Sequence, residues 1–229
     1  MSWLKYIVSF PFRLISKFIL FSMGWSSIDE SIFNNLNEYP NTVIVFSHTS
    51  YADFYILILY MIADPDKFKH VRTLVKPQPF EYMGWLLRKM GAIPATKVED
   101  TKGGAVNRIV SDLKQSDRCT FLISPKGTII KRPWRSGYYH IAVALDAKLM
   151  VAGLDYEKKR VLTSNKIHHS QGEPAVKEFL EKELQVIVPL FPEEEIVTIR
   201  AHDASKRGLI DIYRLSWVIV GIFVIIYML

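Results

Sequence analysis

An α/β layer fold built as one domain is predicted for this chain, and three features predict it. Short β-branched runs alternate with helical stretches through the middle of the sequence. At 229 residues the chain is long enough to bury one sizeable core and short for two. No internal repeat, low-complexity linker or Gly/Ser-rich boundary divides it. The expected architecture is a mixed sheet flanked by helices. An N-terminal helix over 1–25, a domain over 26–208 and a C-terminal hydrophobic helix over 209–229 complete it.

From Trp3 to Trp25 the chain is mostly Leu, Ile, Phe, Val and Met, with Lys5, Ser9, Arg13, Ser16 and Lys17 recurring at spacings of three or four. On a helix these five form one polar stripe beside a broad apolar face, as in a helix lying in a membrane interface, with Pro11 a candidate kink. A helix packed on the protein's own core is the alternative. Arg13 and Lys17 interrupt the apolar stretch that a secretory signal needs.

Thr42 to Ser47, TVIVFS, follows the breaker Pro40-Asn41 and reads as a buried strand; Tyr51 to Ile62 then reads as a helix. Val71 to Val75 is a second strand. After Pro77 and Pro79 comes a helix from Tyr82 to Met90, and Gly103 to Lys114 is an amphipathic helix. Thr120 to Ser124 is a strand, Ser136 to Asp146 a helix and Leu149 to Leu154 a strand. Beyond Asp155 a polar, hairpin-like stretch leads to a helix from Pro174 to about Gln185.

The last fifteen residues, LSWVIVGIFVIIYML, carry no charge and span about 22 Å as a helix, against a hydrocarbon core of about 30 Å. Counting back to Leu209 reaches about 31 Å and takes in Asp211 and Arg214 near one end. A short membrane anchor is the preferred reading, with a buried or half-inserted helix as the alternative. Lys206, Arg207 and Arg214 precede it, which by the positive-inside tendency leaves the bulk of the protein in the cytosol.

Apolar residues at 49% argue against disorder, and the mean hydropathy of +0.12 leans toward membrane contact. The 29 Lys and Arg against 23 Asp and Glu suit anionic headgroups or phosphorylated substrates. No basic run interleaved with aromatics and no zinc-finger spacing accompanies that charge, so nucleic acid is not an expected partner. Cys119 is the single cysteine, which excludes an internal disulfide and a multi-cysteine zinc site.

The chemistry is concentrated in SHTSYADF, where His48 follows a strand and Asp53 opens a helix five residues on. A turn there can fold the carboxylate against the imidazole, fixing its tautomer and raising its basicity while the other ring nitrogen faces a substrate. Such a pair serves as a general base for a hydroxyl, with no protein nucleophile required. The spacing alone is weak; the strand before it, the helix after it and the motifs downstream give it weight.

With those motifs the chain, from residue 23 to about 160, resembles the HxxxxD glycerolipid acyltransferase family that includes 1-acylglycerol-3-phosphate acyltransferases. His48-Thr-Ser-Tyr-Ala-Asp53 matches the signature. Gly91-Ala-Ile-Pro-Ala-Thr-Lys97 is similar to the second motif, with Lys97 where Arg is usual, which keeps charge but loses the bidentate fork. Lys76 stands where the family commonly has a phosphate-contacting lysine; a solvated loop lysine is the alternative. The third motif, Pro-Glu-Gly-Thr-Arg, corresponds to Pro125-Lys126-Gly127-Thr128-Ile129. Gly127 and Thr128 match, whereas Lys126 and Ile129 depart, with Lys131, Arg132 and Arg135 close behind.

The resemblance implies an acyltransferase domain that moves a fatty acyl group from acyl-CoA or acyl carrier protein, its co-substrate, to a lysophospholipid hydroxyl, most simply 1-acylglycerol-3-phosphate. His48 and Asp53 would be catalytic; Lys76, Gly91, Lys97, Lys126, Gly127 and Thr128 would bind substrate. No further cofactor and no metal are implied, and the partners would be membrane lipids. A scaffold of the same fold, or an acyltransferase for another lysolipid or a lipid amine, are the rival readings. His140 is expected to serve packing or hydrogen bonding. His168 and His169, as neighbours on a strand, should point to opposite faces and share no ion. Glu193 to Glu195 reads as a solvated turn.

Overall fold

The computed structural model describes residues 3–28, 40–48, 50, 52–77, 80–95, 104–116, 118–127 and 132–190. The anticipated anchor at 209–229 and the acidic run at Glu193 lie outside them. Five strands run parallel: β1 (Asn41–Phe46), β2 (Val71–Val75), β3 (Ala92–Pro94), β4 (Cys119–Ile123) and β5 (Lys148–Asp155). Their order is β3-β2-β4-β1-β5. Two antiparallel strands, β6 (Arg160–Thr163) and β7 (Ile167–His168), pair with the far and near halves of β5. The mixed sheet expected from the sequence is present as one domain.

Alternation along the strands divides the interior into two layers. Val43 and Val45 of β1, with Phe121, Leu149 and Val151, face helices α5 (Gly104–Leu113), α6 (Gly137–Ala144) and α7 (Glu173–Leu184), whose Leu113, Ile141, Val176 and Leu180 are fully buried. Ile44 and Phe46, with Met150, Ala152 and Leu154, face α2 (Ala52–Ala63) and the end of α1 (Trp3–Ser22). With both faces covered, the central strands are continuously apolar, as a parallel sheet requires. Two further helices, α3 (Pro65–Phe68) and α4 (Phe80–Lys89), lie before and after β2 in the chain.

Between Thr42 and Gln185 the expected strands and helices are present to within two residues at each end, and the N-terminal helix expected over 1–25 stops at Ser22. Three were not anticipated, β3, β7 and α3, all of four residues or fewer, too short to show a period. Gly91, in the turn between α4 and β3, has φ +83, and a Cβ there would collide with the carbonyl oxygen of Val71. Its absence of a side chain lets the two outermost parallel strands start side by side.

Helix α1 docks on the domain by its polar side. Arg13 reaches Asp66 at 3.5 Å and Lys17 reaches Asp64 at 3.1 Å, while Ser16 and Leu20 are buried. Phe10, Leu14, Phe18 and Phe21, at helical spacings of four, four and three, point outward, and Phe18 and Phe21 are 68% and 78% exposed. The usual arrangement of a surface helix is inverted.

Candidate active site

His48 stands just past the end of β1, the strand between β4 and β5, at the carboxyl edge of the parallel sheet. Open α/β sheets hold their ligands at that edge. Four residues on, at Ala52, α2 begins, and Asp53 lies in its first turn, where a negative charge is favoured by the helix dipole. Oδ2 of Asp53 accepts from the backbone N–H of Ser50 at 2.9 Å, and Ser50 Oγ donates to Oδ1 at 3.0 Å. Both bonds run from Ser50 to Asp53, three residues on, and they fix the carboxylate to the helix start.

Held in this way, Oδ2 lies 3.1 Å from Nδ1 of His48. An ionised carboxylate can only accept, so Nδ1 carries the proton and Nε2 keeps its lone pair. The His48 side chain is 30% exposed and that of Asp53 only 2%, so the imidazole is open to a substrate and its partner is shielded. Burial acts to raise the Asp53 pKa; hydrogen bonds from His48, Tyr156 and the Ser50 backbone outweigh it, and the carboxyl lies below its ordinary range.

Tyr156 donates to Oδ1 of Asp53 at 2.7 Å. It follows β5, whose even-numbered residues share the α2 side of the sheet; β5 pairs with β1 with Ala152 opposite Phe46, so Tyr156 overhangs the edge. Burial, then the Asp53 charge, push the phenol's pKa far above its ordinary value, and it remains a donor. Ser50 and Tyr156 were not among the residues anticipated. The Ser-x-x-Asp spacing was a local signal for the first; no local signal marked the second.

The other anticipated residues divide between the two edges of the sheet. Lys76 directly follows β2 and is exposed at the carboxyl edge; β2 is two strands from β1, about 10 Å at ordinary sheet spacing. Lys126 and Gly127 follow β4, the neighbour of β1, in a turn closed by Gly127 N–H on Ser124 O at 3.1 Å. Gly127 has φ +61, a conformation that suits glycine. Lys97 and Thr128 lie outside the described residues. Gly91 requires a correction: it precedes β3, at the amino edge opposite His48, and serves strand packing there.

The expectation for His168 and His169 also requires correction. β7 ends at His168, and a single 3₁₀ turn, His169–Gln171, brings the rings to 4.2 Å between centroids. Their Nε2 atoms lie 3.6 and 2.9 Å from Oδ1 of Asp146. Among the described residues these three form the one convergent set of metal-ligand types. Nδ1 of His168, however, accepts the Ser170 N–H at 3.2 Å, which places the neutral ring's proton on Nε2 and aims a donor at Asp146. A metal-ligating histidine has the opposite polarity, so the cluster is a hydrogen-bonded clasp between the α6–β5 turn and β7. His140 is exposed, with its ring edge-on to Tyr139 at 6.0 Å.

Comparison with known proteins finds a matching family and a matching fold. A family model described as Acyltransferase matches residues 28–154, which contain β1 to β4, most of β5 and the His48/Asp53 pair. Among solved structures, the crystal structure of the 1-acyl-sn-glycerophosphate (LPA) acyltransferase PlsC from Thermotoga maritima has the same fold. It superposes with a TM-score of 0.54 at 15% sequence identity, covering 79% of this chain and 80% of that one. No curated protein sequence matches the chain.

Proposed function

The chain belongs to the Acyltransferase family, and from that premise we propose that it carries a fatty acyl group from an acyl thioester to the free hydroxyl of a lysophospholipid. The preferred acceptor is 1-acylglycerol-3-phosphate, giving phosphatidic acid, with acyl-CoA or acyl carrier protein as donor. The observation that carries the reading is the His48 ring, whose Nδ1 is held by a buried carboxylate and whose Nε2 is left open at the carboxyl edge of the sheet.

In this mechanism Nε2 takes the proton of the acceptor hydroxyl as its oxygen attacks the thioester carbonyl. Asp53 stabilises the imidazolium that forms. The tetrahedral intermediate collapses, the C–S bond breaks, and the imidazolium returns its proton to the departing sulfur. No nucleophile from the protein takes part. Lys76 and the Lys126-Gly127 turn, together with Lys97 and Thr128, are assigned to the acceptor phosphate; the placement of the first three at the carboxyl edge supports this.

We place the enzyme on a membrane surface with its catalytic domain facing the cytosol. The support is the inverted α1, whose outward aromatic and aliphatic stripe has the character of an interfacial helix. Among the described residues no helix is long and apolar enough to cross a membrane. A spanning role therefore rests on residues 209–229.

The replacement of the third motif's Glu by Lys126 and of its Arg by Ile129 favours a second reading, a scaffold of the same fold. Incubating membranes containing the protein with labelled acyl-CoA and a panel of lysolipids separates the readings. Phosphatidic acid formed from 1-acylglycerol-3-phosphate is the expected product; product from another lysolipid would redirect the acceptor assignment, and none with any acceptor would establish the scaffold.

A further inference from the structure

We propose that Tyr156 is a positioning residue for the general base, holding one oxygen of Asp53 so that the other stays aligned on Nδ1 of His48. The inference rests on the catalytic reading of His48 and Asp53 given above. It adds a residue from another part of the chain to that unit.

A lone side-chain hydrogen bond to a carboxylate does not make a positioning device; here the donor is itself clamped. The Tyr156 ring is 8% exposed and stands edge-on to Trp25, with centroids 5.2 Å apart and planes at 86°. Its backbone N–H donates to Val188 O at 2.9 Å. Immediately before it, Oδ1 of Asp155 accepts the N–H groups of Glu157 and Lys158, both at 3.1 Å, which fixes the turn out of β5. Backbone, ring and turn together hold the hydroxyl against the Asp53–Ser50 pair, 2.7 Å from Oδ1 of Asp53 and 3.4 Å from Oγ of Ser50.

Asp53 needs that donor. Its side chain is 2% exposed, and an ionised group so deep is stable only when its lone pairs are occupied. His48 Nδ1 and Ser50 N–H occupy Oδ2; Ser50 Oγ and the phenol occupy Oδ1. Packing against Trp25 requires only a ring, and phenylalanine would supply it. The hydroxyl serves the carboxylate.

Removing it has a consequence of definite sign. Asp53 with one donor fewer is a stronger base, its bond to Nδ1–H tightens, and the His48 imidazolium becomes easier to form. The acid limb of the kcat profile then moves to higher pH. The same carboxylate keeps its two bonds from Ser50 but loses the second hold on Oδ1, so the ring is less closely aligned and kcat falls, on the order of tenfold for one charge-assisted hydrogen bond. Neither KM should change by more than about twofold if Tyr156 touches neither substrate.

The test compares wild type, Tyr156→Phe, Asp53→Asn and His48→Ala as full-length protein on vesicles, with acyl-CoA and 1-acylglycerol-3-phosphate, across pH. Tyr156→Phe is expected to lower kcat and raise the acid limb, whereas Asp53→Asn, which removes the charge, lowers that limb. A fluorinated tyrosine at position 156, a stronger donor of nearly the same shape, should also lower it. That measurement decides the matter if Tyr156→Phe does not fold. An acid limb unmoved in both Tyr156 variants, beside an inactive His48→Ala, would leave the tyrosine a packing residue and overturn the proposal. Wild-type turnover in His48→Ala would instead remove the catalytic reading on which it stands.

Discussion

Nδ1 of His48 lies 3.1 Å from Oδ2 of Asp53, a separation set by the helix start, because the Ser50 N–H holds the same oxygen at 2.9 Å. The imidazole is therefore oriented before any substrate arrives. His48→Ala should abolish transfer, and Asp53→Asn should leave weak activity, the loss of base or orienter costing about two to four orders of magnitude in rate. Steady-state assays of purified variants check this, and wild-type rates in His48→Ala would refute the assignment.

Asp53 also links stability to pH. Burial opposes its ionisation, but the hydrogen bonds from His48, Tyr156 and Ser50 prevail, so its pKa in the folded protein is below the unfolded value of about 3.9. Its contribution is fully present above the unfolded pKa and is lost as pH falls through the depressed folded value. Urea unfolding from pH 6 downward should show a shallower acid-side decline in Asp53→Asn than in wild type. Parallel declines would mean that Asp53 is not held in its charged form.

Gly91 separates packing from binding. With φ +83 and Val71 O against the missing side chain, Gly91→Ala should destabilise the fold by roughly 2–3 kcal/mol and leave both KM values unchanged. Chemical denaturation and substrate titration read the two effects independently. A variant of wild-type stability with a raised acceptor KM would return Gly91 to the substrate site.

The outward stripe of α1 calls for the opposite pattern. Phe18→Asp and Phe21→Asp, at exposed positions, should change stability by no more than about 0.5 kcal/mol yet sharply reduce sedimentation with anionic vesicles. Leu20→Asp, on the buried side, should instead unfold the helix from the domain. Undiminished vesicle binding in the double Phe variant would show that α1 does not meet the bilayer.

Lys126 tests the altered third motif. If its ammonium contacts the acceptor phosphate, Lys126→Glu raises the acceptor KM severalfold, leaves the donor KM alone, and the difference shrinks at high salt. If Lys126 only braces the turn after β4, restoring the family's Glu leaves the acceptor KM unchanged or lower.

What the sequence determined by itself was local. Thr42 to Ser47 announced β1 because β-branched residues between a Pro-Asn break and a helix suit a buried strand, and the His48/Asp53 pairing followed because five residues across one turn fall within reach of each other. Tertiary structure decided everything that depends on which elements become neighbours. Tyr156 meets Asp53, 103 residues away, only because β5 pairs with β1. The stripe of α1 was legible as amphipathic, but which side would face the protein depended on Asp64 and Asp66 being presented beside α2. Gly91 sits within a motif-like string, and its position at the amino edge follows from a three-residue strand that no periodicity could reveal. His168 and His169 share Asp146 because the strand stops between them. Hydrogen bonding and side-chain period act over a few residues and can be read along the chain; strand order, edge and facing are settled when distant apolar surfaces are buried together.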